Sequence, residues 1–212
     1  MSIDRALWQR QLHEGLQAME VDLSELQQKS LLDYLALLFK WNQAFNLTAI
    51  RDANEMVSRQ LLDSLSILHL IQGQRILDVG TGPGLPGIPL AVARPACQFT
   101  LIDSNGKKTR FIQQAITTLG LQNVEVVQAR VEAYRSDVSF DTITSRAFAA
   151  LPKMVQLTHH LLAGEGLLME MNGTIPSDEI AELVAEGYRI DVEALKVHGS
   201  DGERHALLVK PA

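Results

Sequence analysis

At 212 residues, 46% of them apolar and 21% charged, the chain is long enough for one well-buried α/β domain and short for two. A net charge of −6 argues against a protein that coats nucleic acid indiscriminately, and the single cysteine, Cys97, excludes a disulfide framework and any multi-cysteine metal site. No apolar run reaches membrane-spanning length, since Leu61 to Ile71 is broken by Asp63, Ser64, Ser66 and His69; Met1-Ser2-Ile3-Asp4-Arg5 has no apolar signal core, so a cytoplasmic protein without a metal is expected.

Residues 1–73 read as a helical N-terminal extension. Ser24 with Gln27 forms a capping-box pattern that opens a run containing Leu31, Leu32, Leu35, Leu38 and Phe39. Asp52 with Glu55 gives a second start, followed by Met56, Val57, Leu61, Leu62, Leu65 and Leu68, and this helix is predicted to stop near Gly73. Residues 74–212 alternate. Short strands are predicted at Arg75 to Val79, Phe99 to Asp103, Val124 to Val127, Thr142 to Thr144 and Leu167 to Met169. Helices fall between them at Lys107 to Leu119 and Met154 to Leu162. Such alternation means βαβ units and a parallel sheet. At the C-terminus, Val192 to Val197 and His205 to Val209 flank Gly199-Ser200-Asp201-Gly202, too short for a crossover helix, so these two strands run antiparallel and close the sheet with a reversed edge strand. The expected architecture is a single Rossmann-like α/β domain of class I methyltransferase type, mostly parallel, with an antiparallel C-terminal hairpin.

Between the first strand and the following helix lies Asp78-Val79-Gly80-Thr81-Gly82-Pro83-Gly84-Leu85-Pro86-Gly87. Glycines there let backbone come close to a ligand in the crevice beyond the strand ends. Asp103 ends the second strand, where a carboxylate accepts both hydroxyls of a ribose. Two ligands fit this pattern. Gly82-x-Gly84-x-x-Gly87 satisfies a dinucleotide fingerprint, whereas Gly80-x-Gly82-x-Gly84 suits S-adenosylmethionine, which has no phosphate. Pro83 and Pro86 leave fewer N–H donors for a pyrophosphate, and the closing hairpin and lack of a second domain favour the methyl donor.

Over nearly its whole length the sequence resembles the bacterial small-subunit ribosomal RNA guanine-N7 methyltransferases, the RsmG or GidB family. The resemblance rests on Lys40-Trp41-Asn42 to Asn46-Leu47-Thr48, on Arg59 with Asp63-Ser64, and on Asp78 to Pro89. It rests also on Leu101-Ile102-Asp103-Ser104, Ser145-Arg146-Ala147 and Gly202-Glu203-Arg204-His205. It implies S-adenosylmethionine contacts at Gly80 and Leu85, at Val131-Glu132 after the third strand and at Arg146 after the fourth. It further implies 16S ribosomal RNA, in a small-subunit particle or precursor, as the partner of a monomeric enzyme. Two positions depart from the family pattern: Gln60 stands where His is usual, and Asn172 where Lys is common.

The residues that are absent narrow the acceptor. Carbon-5 pyrimidine methylation needs a cysteine nucleophile, and Cys97 precedes the second strand, away from the crevice. Exocyclic amine methylation usually shows an Asp/Asn-Pro-Pro-aromatic turn, and this chain has Thr144-Ser145-Arg146-Ala147-Phe148. Guanine N7 has a free lone pair and needs no general base. Candidate contacts to RNA are Lys108 (beside Lys107 and Arg110), Arg59, Arg204 and His205, each of which also reads as an ordinary solvated group. Trp41 and Phe45 read as core rather than as a base-stacking pair. His159-His160 are too adjacent for a metal pair on one helix face. Two rival functions stay open: a methyltransferase of a protein or small molecule, and a nucleotide-binding module without activity.

Overall fold

The computed structural model describes residues 3–211; Met1 and Ser2, the start of the N-terminal stretch read above, and Ala212 lie outside them. Helix α1 (Arg5–Ala18) is capped by Asp4, which accepts from Leu7 N. Helix α2 (Glu25–Phe45) opens on the predicted box: Ser24 N donates to Gln27 Oε1 (3.0 Å) and Gln27 N to Ser24 Oγ (3.3 Å). The next helical run is split. Between α3 (Ala53–Met56) and α4 (Asp63–Leu65), Val57–Leu62 winds as a π-helix, and the helix ends well before Gly73. Ser66 Oγ donates to the Asp63 carbonyl (2.7 Å), competing with further helical bonding, and a short 3-10 turn, Leu68–Leu70, carries the chain on. At the start of this run Asp52 caps Asn54 N, while Glu55 pairs with Arg59 instead of closing a box.

The remaining elements are β1 (Arg75–Val79), α5 (Gly87–Ala93), β2 (Gln98–Asp103), α6 (Gly106–Leu119), β3 (Val124–Gln128), β4 (Phe140–Arg146), α7 (Leu151–Thr158), β5 (Leu162–Asn172), α8 (Ser177–Ala185), β6 (Tyr188–Ala194) and β7 (His205–Pro211), with short 3-10 turns at Val131–Ala133 and His159–Leu161. They form one seven-stranded sheet in the order β3-β2-β1-β4-β5-β7-β6. β3, β2, β1, β4 and β5 run parallel; β7 is antiparallel to both β5 and β6. The hairpin is as expected, but the reversed strand is not at the edge. β7 carries buried Ala206, Leu207 and Val209 and lies inside, whereas β6 keeps Arg189, Asp191 and Val192 exposed and takes the edge. Its span also lies upstream of the expected Val192 to Val197, although Leu195 N still bonds the Arg204 carbonyl (2.7 Å).

Each sheet face has its own apolar layer. One joins β-strand residues such as Ile76 and Phe99 to α5, α6 and the N-terminal helices, through Trp8, Leu31, Leu35 and Leu38; the other packs α7 and α8 through Leu151, Met154 and Leu183. Burying each such side chain contributes about 1.5–3 kcal/mol, which docks the N-terminal helices on the sheet without a linker. Tyr34 fixes the join: its ring lies 6.1 Å from that of Phe111 and its hydroxyl donates to the Pro83 carbonyl (2.9 Å), inside the glycine-rich bend. Trp41 packs edge-on against Phe111 (5.6 Å), and Cys97 is buried. Among the described residues no helix is long and apolar enough to cross a membrane, and no group of His, Cys, Asp and Glu is placed to hold a metal ion.

Candidate active site

Strand order reverses between β1 and β4, so a crevice opens beyond the C-terminal ends of these strands. The chain leaves β1 through Gly80, Gly82 and Gly84, all in the left-handed region. At Gly80 (φ 63°) a β-carbon would sit 2.3 Å from Phe148 Cδ2, so only glycine permits both the turn and the aromatic wall above it. Asp78 staples the bend from beneath. One of its oxygens accepts from the Thr81 hydroxyl and from Gly87 N (2.8 Å); the other is buried without a partner among the described residues. Burial pushes this carboxyl up to about 7, against the pull of its hydrogen bonds to Thr81 and Gly87 and of the Arg146 charge.

The bend's own hydrogen bonds separate the two ligands its glycines allow. Thr81 N donates to the Ile102 carbonyl, Gly82 N to Asp103, Gly84 N and Leu85 N to the Thr81 carbonyl, and Gly87 N to Asp78. Pro83 and Pro86 have no N–H. Each N–H from Thr81 to Gly87 is therefore already engaged, and no donor cradle remains for a pyrophosphate. The bend suits a ligand without phosphate.

A cleft of about 570 Å³ lies in front of it, lined by Gly80, Asp103, Lys108, Val131, Glu132 and Phe148 among others. Asp103 is 8% exposed. Its Oδ2 accepts from Gly82 N (2.9 Å) and its Oδ1 from Asn105 N (2.8 Å), which fixes the carboxylate and leaves a lone pair on each oxygen. The Lys108 ammonium lies 3.7 Å from Oδ2, so Lys108 belongs to this cleft rather than to a separate basic face. Gly82 acts from behind, as the donor that orients Asp103. Leu85 is buried in the apolar layer and is not among the residues lining the cleft.

Arg146 turns the other way. It lines a second, smaller hollow of about 320 Å³ with Thr48, Arg59, Gln60, Asn172 and Arg204, and this hollow meets the cleft at Ala147, a residue lining both. The centre of the hollow is Asp63, whose side chain is 5% exposed. Its Oδ2 accepts from Arg146 Nη1 (2.8 Å) and its Oδ1 from Arg204 Nε (2.8 Å). Arg146 Nη2 also donates to Gln60 Oε1 (2.9 Å), and Gln60 Nε2 to Thr48 Oγ1 (2.8 Å). One carboxylate thus holds two guanidinium groups, leaving the site one net positive charge. Buried pairs of this kind are costly to break, because a lone charge remains. Gln60, one of the two departures, completes the network with one amide. Arg59 lines the hollow while paired with Glu55 (2.9 Å). His205 sits on β7 opposite Asn172 and Ala194 and lines neither space; its Nδ1 is buried without a partner among the described residues.

Sequence reasoning named Asp63 only as part of a motif and did not pair it with Arg146 and Arg204, which lie 83 and 141 residues away along the chain. The available signal was an Asp interrupting an otherwise apolar helical run. Phe148, Arg130 and Lys153, which also line the cleft, carried no signal of their own.

A parallel sheet with a reversed β7 strand, and a phosphate-free glycine bend facing an acid at the end of β2, define a class I methyltransferase. The fold is shared with the precorrin-6y C5,15-methyltransferase of Geobacter metallireducens GS-15 (TM-score 0.57, 16% identity, covering 80% of this chain and 93% of that one). The family described as rRNA small subunit methyltransferase G matches residues 27–207. The ribosomal RNA small subunit methyltransferase G of Marinobacter nauticus is 53% identical over 206 residues, 97% of this chain and 96% of its own length. Its namesake from Chromobacterium violaceum is 52% identical over 197 residues, 92% and 94% of the two chains. The chain belongs to this family and is a methyltransferase that draws its methyl group from S-adenosylmethionine.

Proposed function

We propose that the protein methylates N7 of a guanine in 16S ribosomal RNA, acting in the cytoplasm as a monomeric single domain on a small-subunit particle or its precursor. The observation that carries this reading is the junction at Ala147, where a nucleoside-sized cleft meets a cationic hollow with no free base. In the cleft, Asp103 receives the ribose hydroxyls through its two remaining lone pairs, and Val131 with Glu132 borders the adenine. Gly80 leaves room for the methionine end, while Gly82 and Leu85 shape the bend from behind. Bound there, S-adenosylmethionine supplies a methyl group on a sulfonium, open to in-line displacement.

The acceptor guanine enters the hollow beside Arg146. Guanidinium N–H groups suit guanine O6, and a contact to O6 alone leaves the N7 lone pair free. Asp63, the carboxylate in reach, is neutralised by two guanidinium groups and offers no general base, which is what N7 methylation tolerates. The protein's contribution is then positioning, and misplacing the acceptor by an ångström costs about 100-fold.

The test is labelled methyl transfer to small subunits lacking the modification, with N7-methylguanine-specific strand cleavage to locate the product. Label is expected in 16S RNA. Arg146→Ala is expected to lower kcat by about 100-fold while leaving the affinity for S-adenosylmethionine nearly unchanged. Label confined to protein would overturn the proposal.

A further inference from the structure

Beside the acceptor hollow lies a larger trough of about 720 Å³, between α1, the π-helical stretch and the loop joining β6 to β7. Arg59 and Arg204 line both spaces and stand on the boundary between them. Beyond that boundary the lining changes character, to the amides of Gln11 and Asn54, the hydroxyls of Ser58 and Ser200, and the carboxylates of Glu14 and Asp201. Gln11 Nε2 donates to the Asn54 carbonyl (3.2 Å), and Gln11 Oε1 is buried without a donor among the described residues.

We infer that this trough receives the base of the nucleotide adjoining the methylated guanine, with the linking phosphate over Arg59 and Arg204. The inference rests on the acceptor assignment made above. Arg59 is paired with Glu55, which also lines the trough, and Arg204 with Asp63, but each guanidinium keeps further N–H groups, and these match one anionic linkage between two bases. Away from that boundary the carboxylates of Glu14 and Asp201 repel phosphate, with His198 as the one basic side chain beside them among the described residues. Carboxylate and amide oxygens instead accept from exocyclic amino groups, so the trough takes cytosine, adenine or guanine in preference to uracil.

The sign of one measurement separates base recognition from mere proximity to RNA. Removing negative charge near a phosphate path tightens binding, whereas removing an acceptor from a base edge weakens it. The experiment is steady-state methyl transfer to unmodified small subunits by the full chain carrying Glu14→Ala and Asp201→Ala, which remove both the charge and the acceptor oxygens, with exposed Glu165→Ala on the far end of β5 as the charge control. For the double variant, KM for the subunit is expected to rise about fivefold or more with kcat held within about twofold. A second arm replaces the nucleotides flanking the target with uridine, one at a time. One of these changes is expected to raise the wild-type KM and to have little further effect on the double variant. A KM that falls or stays level, or a uridine penalty equal in both proteins, overturns the inference. Wild-type turnover on the same particles reports separately on the proposed function, and its absence overturns both.

Discussion

The Asp103 carboxylate serves two backbone donors before any ligand arrives, Gly82 N on one oxygen and Asn105 N on the other. It therefore ties the glycine bend to the end of β2 and aims its free lone pairs into the cleft. In Asp103→Asn either orientation of the amide sets its NH2 against a backbone N–H, that of Gly82 or that of Asn105, so one of these contacts becomes a donor–donor clash and the side chain turns away from its ligand-binding position. Affinity for S-adenosylmethionine is expected to fall about tenfold or more, measured by calorimetry. An unchanged dissociation constant would show that the carboxylate serves only the bend. At this scale the sequence was informative where chemistry is local: Gly80, Gly82 and Asp103 lie next to strands that can be read. It was uninformative for Arg146. Its position at a strand end indicates the crevice, but Asp63 and Gln60 draw it into the neighbouring hollow, and such pairing is set by the docking of the helical layer.

Elements show the same division. The capping box at Ser24 was readable because four consecutive residues specify it, and both reciprocal bonds are present. Ser24→Ala is expected to cost about 1 kcal/mol, which in a chain of this size lowers the melting temperature by about 2–4 °C. Methyl transfer at moderate temperature should be unchanged, since Ser24 lies at the start of α2, away from Tyr34, which holds the bend, and from Asn42, which holds Thr48 and Ile50 beside the hollow. A melting temperature equal to wild type would mean that packing of Leu31, Leu35 and Leu38 alone fixes the helix start. The placement of β7 inside β6 was not readable in the same way. Turn length specifies that two strands pair antiparallel, but which of them meets β5 is decided by apolar burial across the sheet. The π-helical stretch is a further case: its register answers to Asp63, Gln60 and the Arg59 carbonyl, all engaged by Arg146, rather than to local propensity.

Over the whole molecule, two sets of carboxylates pull stability in opposite directions with pH. Asp141, held below its ordinary value by the Arg75 and Gln74 backbone N–H groups, contributes stability that is lost as pH falls. Asp33 acts likewise, although burial opposes the bonds from Lys29 and Arg5 that lower it. Asp78 and Glu170 do the reverse. Burial raises both to about 7, with Glu179 adding repulsion at Glu170, and each has an oxygen buried without a partner among the described residues. Between the unfolded carboxylate range and about 7 the native state binds more protons than the unfolded chain, so their contribution is full in acid and lost as pH rises through about 7. The protein is accordingly expected to melt at a higher temperature near about pH 5.5 than near about pH 8.5. Glu170→Gln isolates the effect, because it lies on the α7–α8 face of β5 and outside both hollows. That substitution should leave the melting temperature nearly unchanged at the lower pH and raise it by several degrees at the higher one. A variant whose melting curve tracks wild type across this range would show that Glu170 stays ionised in the fold, with a partner that rescues its charge.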